Sequence, residues 1–167
     1  EEPAFWIIDD GFGMTAKELK KNMVIGCKDP DDQREEKDLG RFGSGMKTAS
    51  FSQARQLTVV SRTSTDPTVS AARWDTDLIK EKNEWRLEIL AKEDIANLNY
   101  LTDFDNLCSG TVVCLQALTC IDSNPNISSQ ISSLCTELTD YIQLYFHRFL
   151  NKNLKLTLNG VSISGLD

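Results

Sequence analysis

Two short strings concentrate the residues able to do chemistry: Asp9-Asp10-Gly11-Phe12-Gly13-Met14 and Gly40-Arg41-Phe42-Gly43-Ser44-Gly45-Met46-Lys47. The first follows Phe5-Trp6-Ile7-Ile8, an apolar run that reads as a buried strand stopping at a polar turn, so Asp9 places a carboxylate at a strand end. Such a carboxylate either caps the turn or accepts a hydrogen bond from a ligand, while Asp10 reads as a turn or surface residue. The second string runs into Thr48-Ala49-Ser50 with helical spacing, so Gly43, Ser44 and Gly45 open a helix. Unpaired amides at a helix start, together with the positive end of its dipole, collect a phosphate chain, and bulky side chains there would block the approach. Either string alone is weak, since a lone Gly-x-Gly is ordinarily there to permit positive φ. Lys47 reaches a phosphate or points into solvent, Arg41 carries the same two alternatives, and Phe42 reads as core beside them.

The elements that must position these residues follow from periodicity. Thr15 with Glu18 three positions on forms a capping box, and Leu19, Met23 and Val24 give a helix one apolar stripe, with an end expected near Gly26. From Lys28 to Arg41 ten of fourteen residues are charged, too few apolar groups to offset ordering entropy, so a mobile loop is expected. Strands at 57–63 and 69–75 bracket Ser64-Thr65-Asp66-Pro67 as a hairpin, and 85–90 and 110–118 suit further strands. After Pro125, apolar residues from Ile127 to Phe149 recur at helical steps, which predicts one long helix with its stripe on the sheet. A last hairpin, 154–158 and 161–163, turns at Asn159-Gly160. The class is α+β: a two-layer α/β sandwich with helices over one face of a mixed, largely antiparallel sheet.

Composition narrows the partners. Twenty-five acids against 18 bases give a formal charge of −7, with no basic stretch, which argues against direct nucleic-acid binding or an anionic membrane surface. No apolar run approaches the ~20 residues that span a bilayer, and the first residues lack the pattern of a signal peptide, so a cytoplasmic location is expected. Five cysteines without a C-x-x-C pair, beside a single histidine, read as buried thiols rather than a zinc site.

Taken together and in this order, with a helix and a charged loop between them, the two glycine strings resemble the GHKL superfamily of ATP-binding domains, which includes gyrase-type topoisomerases, a heat-shock chaperone, histidine kinases and mismatch-repair MutL. The strings look closest to the chaperone/MutL/MORC-like branch, and Arg55 to Arg62 with Ala72-Arg73-Trp74-Asp75 looks like a bacterial group within it. The resemblance runs from about Ile7 to the terminal hairpin and implies one ATP-binding domain over 1–167 with a Bergerat-type fold and a lid at 27–40. It implies ATP and Mg2+ as ligands. Asp9 would accept a hydrogen bond from the exocyclic amine of adenine, where guanine presents a carbonyl oxygen. Gly11 and Gly13 would let the backbone pass beneath the base, and Met14 would wall the pocket. Gly40, Arg41, Phe42, Gly43, Ser44, Gly45, Met46 and Lys47 would form the phosphate segment, and Thr111, in Ser109-Gly110-Thr111, would complete the adenine site.

Family members that hydrolyse ATP carry a glutamate and a magnesium-binding asparagine on a helix upstream of the first string. Only eight residues precede Asp9, so truncation at both ends is expected, and no residue of the chain is assigned as catalytic or as a metal ligand. The intact protein is expected to be an ATPase acting as a homodimer or with further domains. The alternatives are a histidine-kinase catalytic domain, which shares the fold and the first string, and a non-hydrolysing nucleotide-binding scaffold for protein partners.

Overall fold

A computed structural model of the chain describes residues 3–26, 44–98, 102–119, 121, 126–150 and 152–166. The chain divides into two compact units, Glu1–Cys120 and Ile121–Asp167.

The first unit is built on a five-stranded sheet in the order β1-β5-β2-β3-β4, from β1 (Phe5–Asp9), β2 (Ala54–Arg62), β3 (Ser70–Asp75), β4 (Glu88–Ile89) and β5 (Gly110–Leu118). Its ladders, β1 with β5, β5 with β2, β2 with β3 and β3 with β4, are all antiparallel. The α+β class and the antiparallel sheet therefore hold. β2 lies between β5 and β3 and is covered on both faces, which is why Leu57 to Ser61 is a continuous buried run rather than an alternating one.

Register separates the two faces. Ile8, Val112, Val60 and Ala71 are in line across β1, β5, β2 and β3 and form one core cluster with Ile95 of α4 (Lys92–Ala96) and Phe104 of α5 (Thr102–Asp105). The opposite face carries Val59, Leu57, Ala72 and Trp74 and is covered by Leu19 and Met23 of α1 (Ala16–Met23), with Phe51 of α2 (Gly45–Gln53) and Ile79 of α3 (Thr76–Lys82) packed alongside. Within this unit α1, α2 and α3 thus share one face, and α4 and α5 seat a second cluster on the other, so helices cover both faces rather than the one expected.

The Thr15 capping box forms as expected: the hydroxyl accepts from Glu18 N–H and the Glu18 carboxylate accepts from Thr15 N–H at 2.9 Å. α1 stops at Met23, earlier than Gly26. Val24, expected in the stripe, is its extended C-cap and is half exposed, because the last carbonyls of α1 are taken by groups outside the helix, as described below. The strand expected at 85–90 shrinks to Glu88–Ile89, and α3, α4 and α5 fall in stretches with no helical period long enough to read. α3 follows Asp75, whose carboxylate accepts from the amides of Asp77 and Leu78, an N-cap within the sequence Asp75-Thr76-Asp77.

The second unit consists of α6 (Ile127–Leu150) and the hairpin of β6 (Leu156–Leu158) and β7 (Val161–Ile163). Asn159 (φ 49°) and Gly160 (φ 79°) both take the left-handed conformation that a two-residue turn of this hand requires. Within this unit α6 packs on the hairpin, where Ile163 is buried and Gln143 Nε2 donates to Ser164 O at 3.0 Å.

Candidate functional site

The first glycine string lies where β1, β2 and β5 end together. Asp9, Thr111 and Ser61 are in register across β1, β5 and β2, on the face that also carries Leu19 and Met23. In-register side chains on antiparallel strands stand about 4.5–5.5 Å apart at Cβ, so these three form one polar row at the edge of an apolar face.

Asp9 is exposed, and its Oδ1 accepts from Gly11 N–H at 2.9 Å. The turn-capping role and the ligand role are compatible: the Asx turn fixes the carboxylate, and Oδ2 has no hydrogen bond among the described residues. A Cβ on Gly11 would sit 2.7 Å from that same Oδ1 and would push it aside. Gly13 is glycine for another reason. At φ +70°, it lies so near β2 and β5 that a Cβ would be 1.8 Å from the Arg62 carbonyl oxygen and 2.9 Å from that of Gly110. Gly110 mirrors it at φ +147°, with a Cβ falling 2.1 Å from the Asp9 carbonyl oxygen. Three backbones thus touch at one point with no side chain between them, which makes a thin, rigid floor.

Met14 is tied to that floor by its N–H, which donates to Ser61 Oγ at 2.8 Å, and its thioether sulfur accepts from Asn22 Nδ2 at 3.3 Å. Ser61 is fully buried, and its Oγ also lies 2.8 Å from the Gly110 carbonyl oxygen and 3.0 Å from Thr111 Oγ1. Sequence reasoning passed over Ser61; the available signal was a hydroxyl at the end of the apolar Leu57-Thr58-Val59-Val60 run. Arg62, next to it, donates through one guanidinium nitrogen to the carbonyl oxygens of Phe104, Asp105 and Leu107, and its guanidinium lies 4.7 Å from the centre of the Phe104 ring. It therefore holds the α5 segment against the end of β2.

Of the second string, Gly40, Arg41, Phe42 and Gly43 lie outside the described residues, as does the expected lid at 27–40. Ser44 is the N-cap of α2 and makes no side-chain cap bond; its carbonyl accepts from Thr48 N–H at 2.9 Å. A Cβ on Gly45 would meet nothing within 4 Å among the described residues, so packing does not require a glycine there. Met46 is partly exposed, and Ser50 Oγ donates to its carbonyl at 2.7 Å. Lys47 is not solvated, which corrects one of its two sequence-based alternatives. It is 3% exposed, and its ammonium donates to the Asn22 carbonyl at the end of α1. The neighbouring Met23 carbonyl accepts from Trp74 Nε1 at 2.9 Å. A cation at a helix C-terminus is favoured by the dipole, and here it meets a carbonyl of the last turn.

Titration touches the periphery. Glu18 is held below its ordinary value by the hydrogen bond from the Thr15 backbone and then that from the Thr15 hydroxyl. Asp66, in the β2–β3 turn, is lowered by its bonds to Thr68.

Asp9 at a strand end, a glycine turn over a bare backbone floor and a helix opened by Gly45 are the described features of the candidate site. The chain belongs to the histidine kinase-, DNA gyrase B- and HSP90-like ATPase family, which it matches over residues 1–111. Domains of this family bind ATP, in general with Mg2+. No curated protein matches the chain. Among the described residues no helix is long and apolar enough to cross a membrane.

Proposed function

We propose that the first unit binds Mg-ATP in the manner of the chaperone/MutL/MORC-like branch, with the adenine at Asp9 and Thr111 and the phosphates at the start of α2. The observation that supports this best is the polar row itself: an exposed Asp9 carboxylate with Oδ2 unbonded among the described residues, in register with a threonine hydroxyl, at the rim of an apolar face that includes Met14. A carboxylate there accepts a hydrogen bond from the adenine amine and repels the carbonyl oxygen of guanine. Gly45, with no packing reason to lack a side chain, leaves the first turn of α2 open to phosphate. The charged stretch at 27–40, composed as it is, covers the bound nucleotide, and its ordering is the signal passed to other domains or a second copy. Gly40, Arg41, Phe42 and Gly43 extend the phosphate segment. Lys47, engaged with Asn22, shapes that segment from behind. When bound, the magnesium ion neutralises the phosphate charge; no residue of this chain is assigned a part in hydrolysis.

Isothermal titration with ATP and GTP in the presence of Mg2+ tests the reading. A hydrogen bond to a charged acceptor is worth about 1.5–3 kcal/mol, so Asp9→Asn should weaken ATP by roughly tenfold or more. Equal affinity for the two nucleotides, or no effect of the substitution, would overturn it.

A further inference from the structure

The hydroxyl of Ser61 has one proton and two lone pairs, and the structure gives all three a partner. The Gly110 carbonyl can only accept, so the Ser61 proton goes to it over 2.8 Å. The Met14 amide can only donate, so it takes one lone pair, also at 2.8 Å. What remains for the 3.0 Å contact with Thr111 Oγ1 is the second lone pair, so the donor in that contact is threonine. Thr111 has a single proton, now spent inward, and its Oγ1 has only lone pairs left for anything that approaches. Beside it in register stands Asp9, a carboxylate that accepts and does not donate when ionised.

We infer that Ser61 is a positioning residue for base selection: by absorbing the Thr111 proton it makes the Asp9–Thr111 pair an acceptor-only edge, which admits an amino group and rejects a carbonyl. The inference rests on the reading of this cleft as an ATP site and adds to it the origin of the preference. An amine supplies two N–H groups to such an edge, directly or through one water that donates to both acceptors. At the position of the amine a ring carbonyl brings a third acceptor and no proton; the ring N–H that accompanies it is displaced to the neighbouring N1 position. Because Ser61 is fully buried near the end of β2, paired with Thr111 of β5, it acts without touching the nucleotide. The same hydroxyl anchors Met14, so base selection and the seat of the glycine turn depend on one atom.

The probes are ATP and inosine triphosphate, which carries a carbonyl in place of the amine and lacks the second amino group of guanine. In Ser61→Ala the Thr111 proton is released and can turn outward. The inosine-to-adenine ratio of dissociation constants should then fall by about three- to tenfold, the range of one ordinary hydrogen bond, chiefly through tighter binding of inosine triphosphate. Loosening of the structure would weaken both nucleotides together and leave the ratio alone, and an unchanged ratio overturns the inference. Should Ser61→Ala fail to fold, Thr111→Ser and Thr111→Val decide: the serine must keep the parent ratio and the valine must lose it, chiefly through weaker ATP. If the unsubstituted chain binds no ATP, the proposed function falls and base selection with it. The proton assignment is then read alone by NMR: a slowly exchanging Thr111 hydroxyl proton with a nuclear Overhauser effect to the Ser61 β protons supports it, and its absence refutes it.

Discussion

Gly13→Ala isolates the role of the bare backbone floor. The added Cβ would lie 1.8 Å from the Arg62 carbonyl oxygen, so reaching an ordinary C···O separation requires the turn to lift by about 1.5 Å. Arg62 is paired with Gly110 of β5 and anchored by its guanidinium to the Phe104 and Leu107 carbonyls, so it cannot move away cheaply. Alanine at φ +70° costs about 1–2 kcal/mol in backbone strain. Forcing the extra group into a closed contact costs about 1–3 kcal/mol more, and lifting the turn breaks the Met14–Ser61 bond, worth about 0.5–1.5 kcal/mol. The substitution should therefore destabilise the first unit by about 3–5 kcal/mol, which lowers the melting temperature by roughly 10–20 °C in a domain of this size. Thermal and urea unfolding, followed by far-UV circular dichroism, measure it. A melting temperature within two or three degrees of the parent (a shift of about 1 kcal/mol or less) would refute the close approach of the three backbones.

Gly45→Ala should do the opposite: stability unchanged or raised by up to about 1 kcal/mol, because the Cβ meets nothing among the described residues and helices favour alanine, while ATP affinity falls in titration. Thr15→Ala should cost about 1 kcal/mol through loss of the cap of α1, read from denaturant midpoints. Lys47→Ala should cost about 1.5–3 kcal/mol by stripping a charged donor from the Asn22 carbonyl, again by denaturant unfolding. The folded-state pKa of Glu18 lies below its unfolded one, so its contribution is present above the unfolded value and is lost as pH falls through the folded value. Melting curves of the parent should converge on those of Glu18→Gln as pH drops below the ordinary carboxylate range, and parallel curves would refute the shift.

Much of this site is legible in the sequence because its parts are local. Asp9 to Met14 carries its own turn chemistry, Thr15 and Glu18 announce a helix start three residues apart, and Gly110 to Leu118, largely apolar with Thr111, Val112 and Val113 β-branched, becomes β5. What was missed depends on partners distant in sequence. Ser61 matters because Met14, Gly110 and Thr111 converge on it, 47 to 50 residues away, and no local pattern encodes that meeting. Lys47 read as solvent- or phosphate-facing because a buried lysine leaves no trace in periodicity; its partner is 25 residues upstream. α3 to α5 are short and stabilised by tertiary contacts such as the Arg62 grip on the α5 carbonyls, so their composition shows little period. Gly11, Gly13 and Gly45 looked alike as letters, yet one spares a carboxylate, one spares a backbone and one spares open space.

The ammonium that joins α2 to the end of α1 also closes a ring of chain. Whatever lies between the two anchor points is excused from holding them together, so its length can change without moving either helix. Doubling such a span costs only about 0.6 kcal/mol in closure entropy. Grafting a foreign stretch between the anchors should therefore leave the sheet and its helices standing, whatever it does to nucleotide binding.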